Sequence, residues 1–579
     1  MTGGYLLALD AGTGSCRAAL FGLDGELAGL AQREWSHPPV DGVPGSQSFD
    51  PAGSWAVVCA CVREVISGAA GPAGPAGLAA VRAVGCSSMG GGLVLYDRRG
   101  REVWACANGD ARAGQEAAAM LADGTAAELY RRGGGWISIT APPRLAWVRR
   151  HQPGIWAEVR RFSMIADWMV LRLTGTLASE ASIGSTSGLF DLGRRAWSPE
   201  LLTQCGLDPA WFPEVVEAGT VVGQVSARAA AQTGLAAGTP VVAGGLDTAL
   251  GLAGPGPAVP GRLTVTGGSF WKQTVLATAP VVEPDGQLRT ICHVRPGEWL
   301  VEGIGFYAGF ALRWLRDQAA AVGQPLSYAE LEALASAVPP GAHGLTARLV
   351  LADAWTWARW RPPFPSQPAA ATGAGAVTGA GAVGNGAAPG LGERARAIQE
   401  AAAYSTRRAA GLVRQLLGPT AVQQVLLVGG AARSRLWPQI LADVLGCPVS
   451  VAGHTESAAL GAAILAGRAA GVLPDAKPLA AGLPAAGPGA ATQGVPGPAA
   501  PGPHAAGPPA PGPPTAGPLA AGPGAAGPGA AGPDVAGPGA AGRAGAYPAR
   551  AVRPSPGGQR AYDDLYAQWI SQAYLKSQP

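Results

Sequence analysis

Charge is scarce in this 579-residue chain. Asp, Glu, Lys and Arg make up 14% of it, and the formal net charge is +4. The basic residues are scattered rather than gathered on one face, which argues against a nucleic-acid partner. No stretch reaches the roughly 18 consecutive apolar residues that a membrane span requires. The opening MTGGYLLALD has no basic leader, and its short apolar run ends in an acid. It does not read as a secretory signal, and the expected location is the cytoplasm. Cysteine is sparse too: Cys16, Cys59, Cys61, Cys86, Cys106, Cys205, Cys292 and Cys447 show no CxxC spacing. They read as reduced thiols, with neither a disulfide framework nor a structural zinc site. None of the six histidines falls in a ligand pattern. A GxxxxGK[ST] phosphate loop is also missing.

Glycine and proline, by contrast, are abundant, at 88 and 52 residues. Part of that excess is local. Residues 362–392 and 483–545 are low in complexity, and in the second stretch Gly recurs at every fifth position from Gly497 to Gly542. Collagen needs Gly at every third position, so a triple helix is excluded. A Gly-Pro pentad buries little apolar area, and a flexible tether is expected. Beyond it, residues 560–575 place Tyr562, Leu565, Tyr566, Trp569 and Ala573 on one helical stripe. So many aromatics on one face predict a helix that docks back on the preceding domain.

The remainder reads as two halves, 5–252 and 261–475. The first opens with a strand over Tyr5–Leu9, a Gly-rich turn and a strand over Cys16–Phe21, with a helix over Asp167–Leu173 further on. The second begins near Gly261 with RLTVTGGSFWKQTV. Helices over Phe306–Asp317 and Glu393–Leu417 follow, then a strand over Val425–Val428 and helices from Ser434 and Glu456. Strands alternating with helices indicate an α/β fold, and the shared strand–turn–strand opening indicates a duplicated nucleotide-binding core.

Four segments carry chemistry. In LALDAGTGSCRAALF a strand delivers Asp10 to its end, and Gly12, Thr13, Gly14 and Ser15 form a turn rich in free amides and hydroxyls. With Arg17 these groups suit phosphate oxygens, and Asp10 suits Mg²⁺ held through water. An ordinary hairpin turn would look similar. In TPVVAGGLDTALG a buried strand runs through two glycines to Asp247. Asp247 reads either as a helix N-cap or as a general base, with Gly244 and Gly245 letting substrate approach the backbone. In VLLVGGAARSRLW the Gly429–Gly430 turn suits a flat nucleotide, and TVTGGSFW repeats the hydroxyl-and-glycine pattern in the second half.

These segments, in this order, resemble the FGGY family of carbohydrate kinases across most of residues 5–470. FSMIADWMVLRLTGTLASEASIGSTSGLFDL and EGIGFYAGFALRWLRD strengthen the likeness. Within the family, PGSQSFD, VLYDRRGREVWACANGDARAGQE and TGGSFWKQ are similar to the autoinducer-2 kinase branch. The resemblance implies two ribonuclease-H-like (actin-like ATPase) domains around a cleft, ATP and Mg²⁺ as cofactors, and transfer of phosphate to a primary hydroxyl of linear dihydroxypentanedione. It implies Asp10 as the metal acid, Thr13 and Arg17 at the phosphates, where Gly12 and Ser15 of the same turn join them on the reading above, and Asp247 as base. Thr266, Gly267, Gly309, Arg313, Gly429, Gly430 and Ser434 would meet the nucleotide. A phosphocarrier partner and a homodimer come from the resemblance alone.

One departure stands out. Where the family often presents an Arg-Glu pair to substrate hydroxyls, this chain has Gly90 and Gly91 in SSMGGGLVLY. Losing such a pair weakens hydrogen bonding to a polyol. Met89, Asp110 and Arg112 are the candidates to line the substrate instead, the last two being equally readable as a surface ion pair. The alternatives are a pentulose or glycerol kinase, told apart by a substrate panel, and a non-catalytic ligand-responsive regulator, which would bind without releasing ADP.

Overall fold

The computed structural model describes residues 4–70, 81–253, 259, 261–268, 270–305, 308–347, 364, 389–452, 456–474 and 550–571. The Gly-Pro pentads, most of 362–392, Phe306 and Ala573 lie outside them.

Two sheets organise the chain. The first contains β1 (Tyr5–Ala11), β2 (Ser15–Gly22), β3 (Leu27–Glu34), β4 (Val81–Ser88), β5 (Val221–Gln224) and β6 (Pro240–Leu246), in the order β5-β6-β4-β1-β2-β3. Strands β1, β2 and β3 form an antiparallel meander, while β4 runs parallel to β1 and β6 parallel to β4. The sequence explains the asymmetry. Every β1 residue after Tyr5 is buried, as expected of a strand covered on both faces, whereas β3 alternates exposed and covered positions at the edge.

The second sheet repeats this plan with β7 (Arg262–Gly267), β8 (Trp271–Ala277), β9 (Arg289–Cys292), β10 (Trp299–Gly305), β11 (Gln424–Val428) and β12 (Val449–Val451). Its central order β10-β8-β7-β11-β12 matches β3-β2-β1-β4-β6, with three antiparallel strands followed by two parallel ones. The duplication legible in the two openings therefore extends through the sheets. At the far edge, β13 (Arg550–Val552) pairs antiparallel with β12, an edge strand that the sequence did not announce.

The Ser457–Ala469 helix follows the second sheet but packs on the first. Gly85 lies so close to it that a β-carbon there would be 2.4 Å from the Ala462 carbonyl oxygen. Gly461 abuts the Asp247–Ala253 helix as tightly, 2.3 Å from the Leu250 carbonyl oxygen on the same construction. Small residues let these backbones cross beside the cleft.

The terminal segment forms a helix over Gly558–Trp569, with Tyr562 and Trp569 buried and Leu565 and Tyr566 half-buried. It lies against the Leu391–Leu417 helix. There Arg396 Nε donates to Glu400 Oε1 at 2.8 Å, and the Tyr562 hydroxyl donates to the same oxygen at 3.1 Å. Among the described residues no helix is long and apolar enough to cross a membrane.

Candidate active site

β1 carries Asp10 to its C-terminal end, where the ladder sets it opposite Arg17 of β2 and Ser87 of β4. The residue is 6% exposed. Burial, reinforced by the charge of Asp247, pushes its carboxyl up to about 6, while Arg17 and Ser87 draw it back and Glu456 adds a smaller rise. Arg17 Nη1 lies 3.5 Å from Asp10 Oδ2, and its Nε donates to Gln32 Oε1 at 3.1 Å. Glu456, from the helix start on the other half, is 3.7 Å from the same Nε. Asp10 Oδ1 is buried and has no hydrogen-bond partner among the described residues.

The turn beyond β1 is pinned from behind. Trp35 Nε1 donates to the Gly12 carbonyl at 3.0 Å, His37 Nε2 to the Thr13 carbonyl at 2.9 Å, and the Trp35 amide to the Gly14 carbonyl at 3.2 Å. Asn108 Nδ2 donates to Thr13 Oγ1 at 2.9 Å, so the Thr13 hydroxyl keeps its proton for another acceptor. Thr13 and Gly14 are exposed, and Ser15 is mostly buried.

Asp247 opens the helix that follows β6, half-buried. Its Oδ1 accepts from the Thr248 amide at 2.5 Å and the Thr248 hydroxyl at 3.0 Å. Both described bonds fall on Oδ1. The glycines before it do not make room for substrate, as the sequence reading had them do. A β-carbon on Gly244 would sit 2.0 Å from the Cys86 carbonyl oxygen, and one on Gly245, at φ +122°, 2.3 Å from Glu180 Oε2. They admit the neighbouring strand and a buried carboxyl. Glu180 is pushed up to about 8 by burial, and Ser182, bonded to Glu180, accepts from the Leu246 amide at 3.0 Å. This network, unseen in the sequence, fixes the approach to Asp247.

The second half contributes a backbone floor. Gly267 ends β7, and a β-carbon on Gly429 (φ +84°) would meet the Gly267 carbonyl oxygen at 2.9 Å; Gly430 beside it is exposed. Thr266 is half-buried on the same strand. Gly309 is half-buried near the start of the Ala308–Ala321 helix, and Arg313 is exposed one turn on. The helix expected from Ser434 starts at Leu436 instead, because Ser434 caps it. Its hydroxyl accepts from the Trp437 amide at 2.9 Å and donates to Glu332 Oε1 at 3.1 Å.

The three substrate candidates are all buried. Met89 is 2% exposed and packs in the core. Asp110 and Arg112 form an internal pair at 2.7 Å, with side chains 0% and 2% exposed. Arg112 lies between the Trp104 and Trp147 rings, 5.1 and 5.0 Å from their centroids, and Asp110 Oδ2 accepts from the Gln47 amide at 2.7 Å. The surface-pair reading is thereby corrected, since these aromatic rings close over the pair. Arg144, which the sequence did not flag, holds the loop from inside: its Nη1 donates to the Gly91 carbonyl at 2.5 Å and its Nη2 to the Asn108 carbonyl at 2.7 Å. A β-carbon on Gly90 would lie 2.9 Å from both Leu246 Cδ1 and Thr186 Cγ2.

Comparison with known proteins gives a consistent picture. Residues 5–254 match the N-terminal domain, and residues 272–470 the C-terminal domain, of the FGGY family of carbohydrate kinases. The autoinducer-2 kinase of Salmonella paratyphi A is 40% identical over 485 residues, covering 82% of this chain and 87% of its own length. That of Klebsiella pneumoniae is 38% identical over 481 residues, covering 81% and 87%. Among solved structures, ligand-bound xylulose kinase from Lactobacillus acidophilus superposes with a TM-score of 0.72 at 15% identity, covering 99% of this chain and 100% of its own. Xylulose kinase from Rhodospirillum rubrum does so with 0.70 at 22% identity, covering 99% and 98%. At these identities the likeness shows the fold.

Proposed function

Because the chain belongs to the FGGY family of carbohydrate kinases, and is thus an ATP-dependent sugar kinase, we propose that it phosphorylates autoinducer-2, as linear 4,5-dihydroxypentane-2,3-dione, in the cytoplasm. The similarity to autoinducer-2 kinases over most of the chain supports this substrate.

The observation that carries the mechanism is the strand register: Asp10 and Gly245, two residues before Asp247, both stand opposite Ser87 of β4, so the two acids come from neighbouring strand ends and the charge of Asp247 raises Asp10. Asp247 has its described bonds on Oδ1, which leaves Oδ2 to accept the proton of the substrate hydroxyl as its oxygen attacks the γ-phosphorus and the bond from that phosphorus to the departing ADP oxygen breaks. Thr13, Ser15 and Arg17, with the amide of Gly14, stabilise the phosphate oxygens; the Gly12 amide, expected to be free, instead donates to the Ser15 carbonyl at 3.0 Å and closes the turn. Thr266, Gly267, Gly429 and Gly430 form the bed for the nucleotide, with Gly309 and Arg313 beside it; Ser434 shapes that bed as a helix cap. Asp110 and Arg112 support the substrate wall from within.

A divalent cation fits Asp10, whose buried Oδ1 lacks a partner. Among the described residues no group of three or more acidic, His or Cys side chains forms a cage, which suits Mg²⁺ held largely by water and phosphate. When bound, the ion would neutralise charge on the phosphates. The family likeness also carries a homodimer and a phosphocarrier partner into this reading, to be checked by light scattering and by titration with the phosphocarrier. The central test is ADP release from Mg²⁺-ATP across a panel of dihydroxypentanedione, xylulose, ribulose and glycerol. Preference for the dione is expected, and preference for a pentulose or glycerol would overturn the substrate assignment.

A further inference from the structure

The chain holds 42 basic residues, of which three are lysine: Lys272, Lys477 and Lys576. Everywhere else it uses arginine. Lys272 is the one lysine between residues 5 and 475, and it lies at the cleft. It stands on β8, opposite Thr266 in the β7–β8 ladder. Its Nζ donates to Thr248 Oγ1 at 3.0 Å. The contact joins the second sheet to the helix that begins with Asp247.

The direction of these bonds is set by chemistry. An ammonium only donates, so Thr248 Oγ1 must accept from Lys272. The hydroxyl's single proton is then committed to Asp247 Oδ1, 3.0 Å away. With the Thr248 amide on that same oxygen, the carboxylate is held by one atom and presents the other. Lys272 in turn lies near Glu302, which is fully buried on β10 and carries the counter-charge of Arg289.

We propose that Lys272 is a positioning residue for phosphoryl transfer, which orients Asp247 through the Thr248 hydroxyl and so ties the second half of the enzyme to the base on the first. The proposal rests on the reading of Asp247 as the base. Lys272→Met should lower kcat by about 10- to 100-fold, the range expected on losing a bond to a charged group, with KM for ATP changed less than about threefold. Lys272→Gln keeps a donor for Thr248 and should stay within about threefold of the parent. Thr248→Val should fall as Lys272→Met does, and the double variant no further, because both remove one linkage. Thermal unfolding of each variant, with and without ATP, separates this loss from misfolding. Full activity in Lys272→Met, equal damage in Lys272→Gln, or additive losses in the double variant would overturn the proposal. Asp247→Asn, assayed alongside, distinguishes the two readings. If it stays active, the base assignment fails; if it is inactive while Lys272→Met is not, the positioning role fails alone.

Discussion

Gly90 and Leu246 occupy each other's space: a β-carbon on Gly90 would lie 2.9 Å from Leu246 Cδ1. Leu246 is 1% exposed and immediately precedes Asp247. The absence of a side chain at 90 and the presence of leucine at 246 are thus one packing solution. Gly90→Arg should cost about 1–3 kcal/mol through overpacking. Leu246→Ala in the same chain should return part of that loss. Urea unfolding of the single and double variants measures the coupling, and simple additivity would show that the two positions are independent.

Asp247→Asn should retain the fold, because asparagine caps helices as well as aspartate does. It should lose about 10²- to 10⁴-fold in kcat, the range for removal of a general base. Nucleotide affinity, read by calorimetry, should be nearly unchanged, since Asp247 lies on the first half and the glycine floor on the second.

Glu180 sets a pH dependence. Burial raises its carboxyl from 4.5 to about 8, against the hydrogen bonds from Ser182 and Ile183. Between these values the folded protein holds a proton that the unfolded chain has lost. The stability contributed by this group is full below about 4.5, falls as pH rises, and is gone above about 8. Glu180→Gln removes the titration. Its stability relative to the parent should therefore be higher at pH 8.5 than at pH 5. Paired unfolding curves check this, and a pH-independent difference would mean that Glu180 is ionised in the folded state throughout.

Trp569 anchors the terminal helix, with 2% exposure, a donor bond from Nε1 to the Ala347 carbonyl at 3.3 Å, and a ring contact to Tyr404 at 5.7 Å. Trp569→Ala should cost about 3–5 kcal/mol. Denaturant midpoints read the loss, and a change below about 1 kcal/mol would show that the helix is dispensable to the domain.

Much of this organisation was legible in the sequence, for local reasons. Asp10 was visible because an apolar strand, an acid and a glycine turn follow one another without interruption. The stripe of Tyr562, Leu565, Tyr566 and Trp569 announced its own burial, because helical spacing fixes which residues share a face. Asp247 stayed ambiguous, since a cap and a base require the same residue at the same place. Where partners are distant in sequence, the reading failed. Arg112 is enclosed by Trp104 and by Trp147, the latter 35 positions on, and Gly245 makes room for Glu180, 65 positions before it. Neither relation leaves a periodic trace. The three-residue strand β13 is likewise too short to show a pattern, and its place is set by its neighbour Val449–Val451.

That strand changes the topological standing of residues 475–549. With Leu473 packed on one side and Arg550–Val552 hydrogen-bonded into the second sheet on the other, the interval is closed at both ends on one folded body. The last helix is a part of the same folded body, delivered late in the chain. A single cut anywhere in the interval would turn the enzyme into two polypeptides. Retention of Arg550–Ser571 would then depend on dilution, whereas the intact chain supplies its own effective concentration.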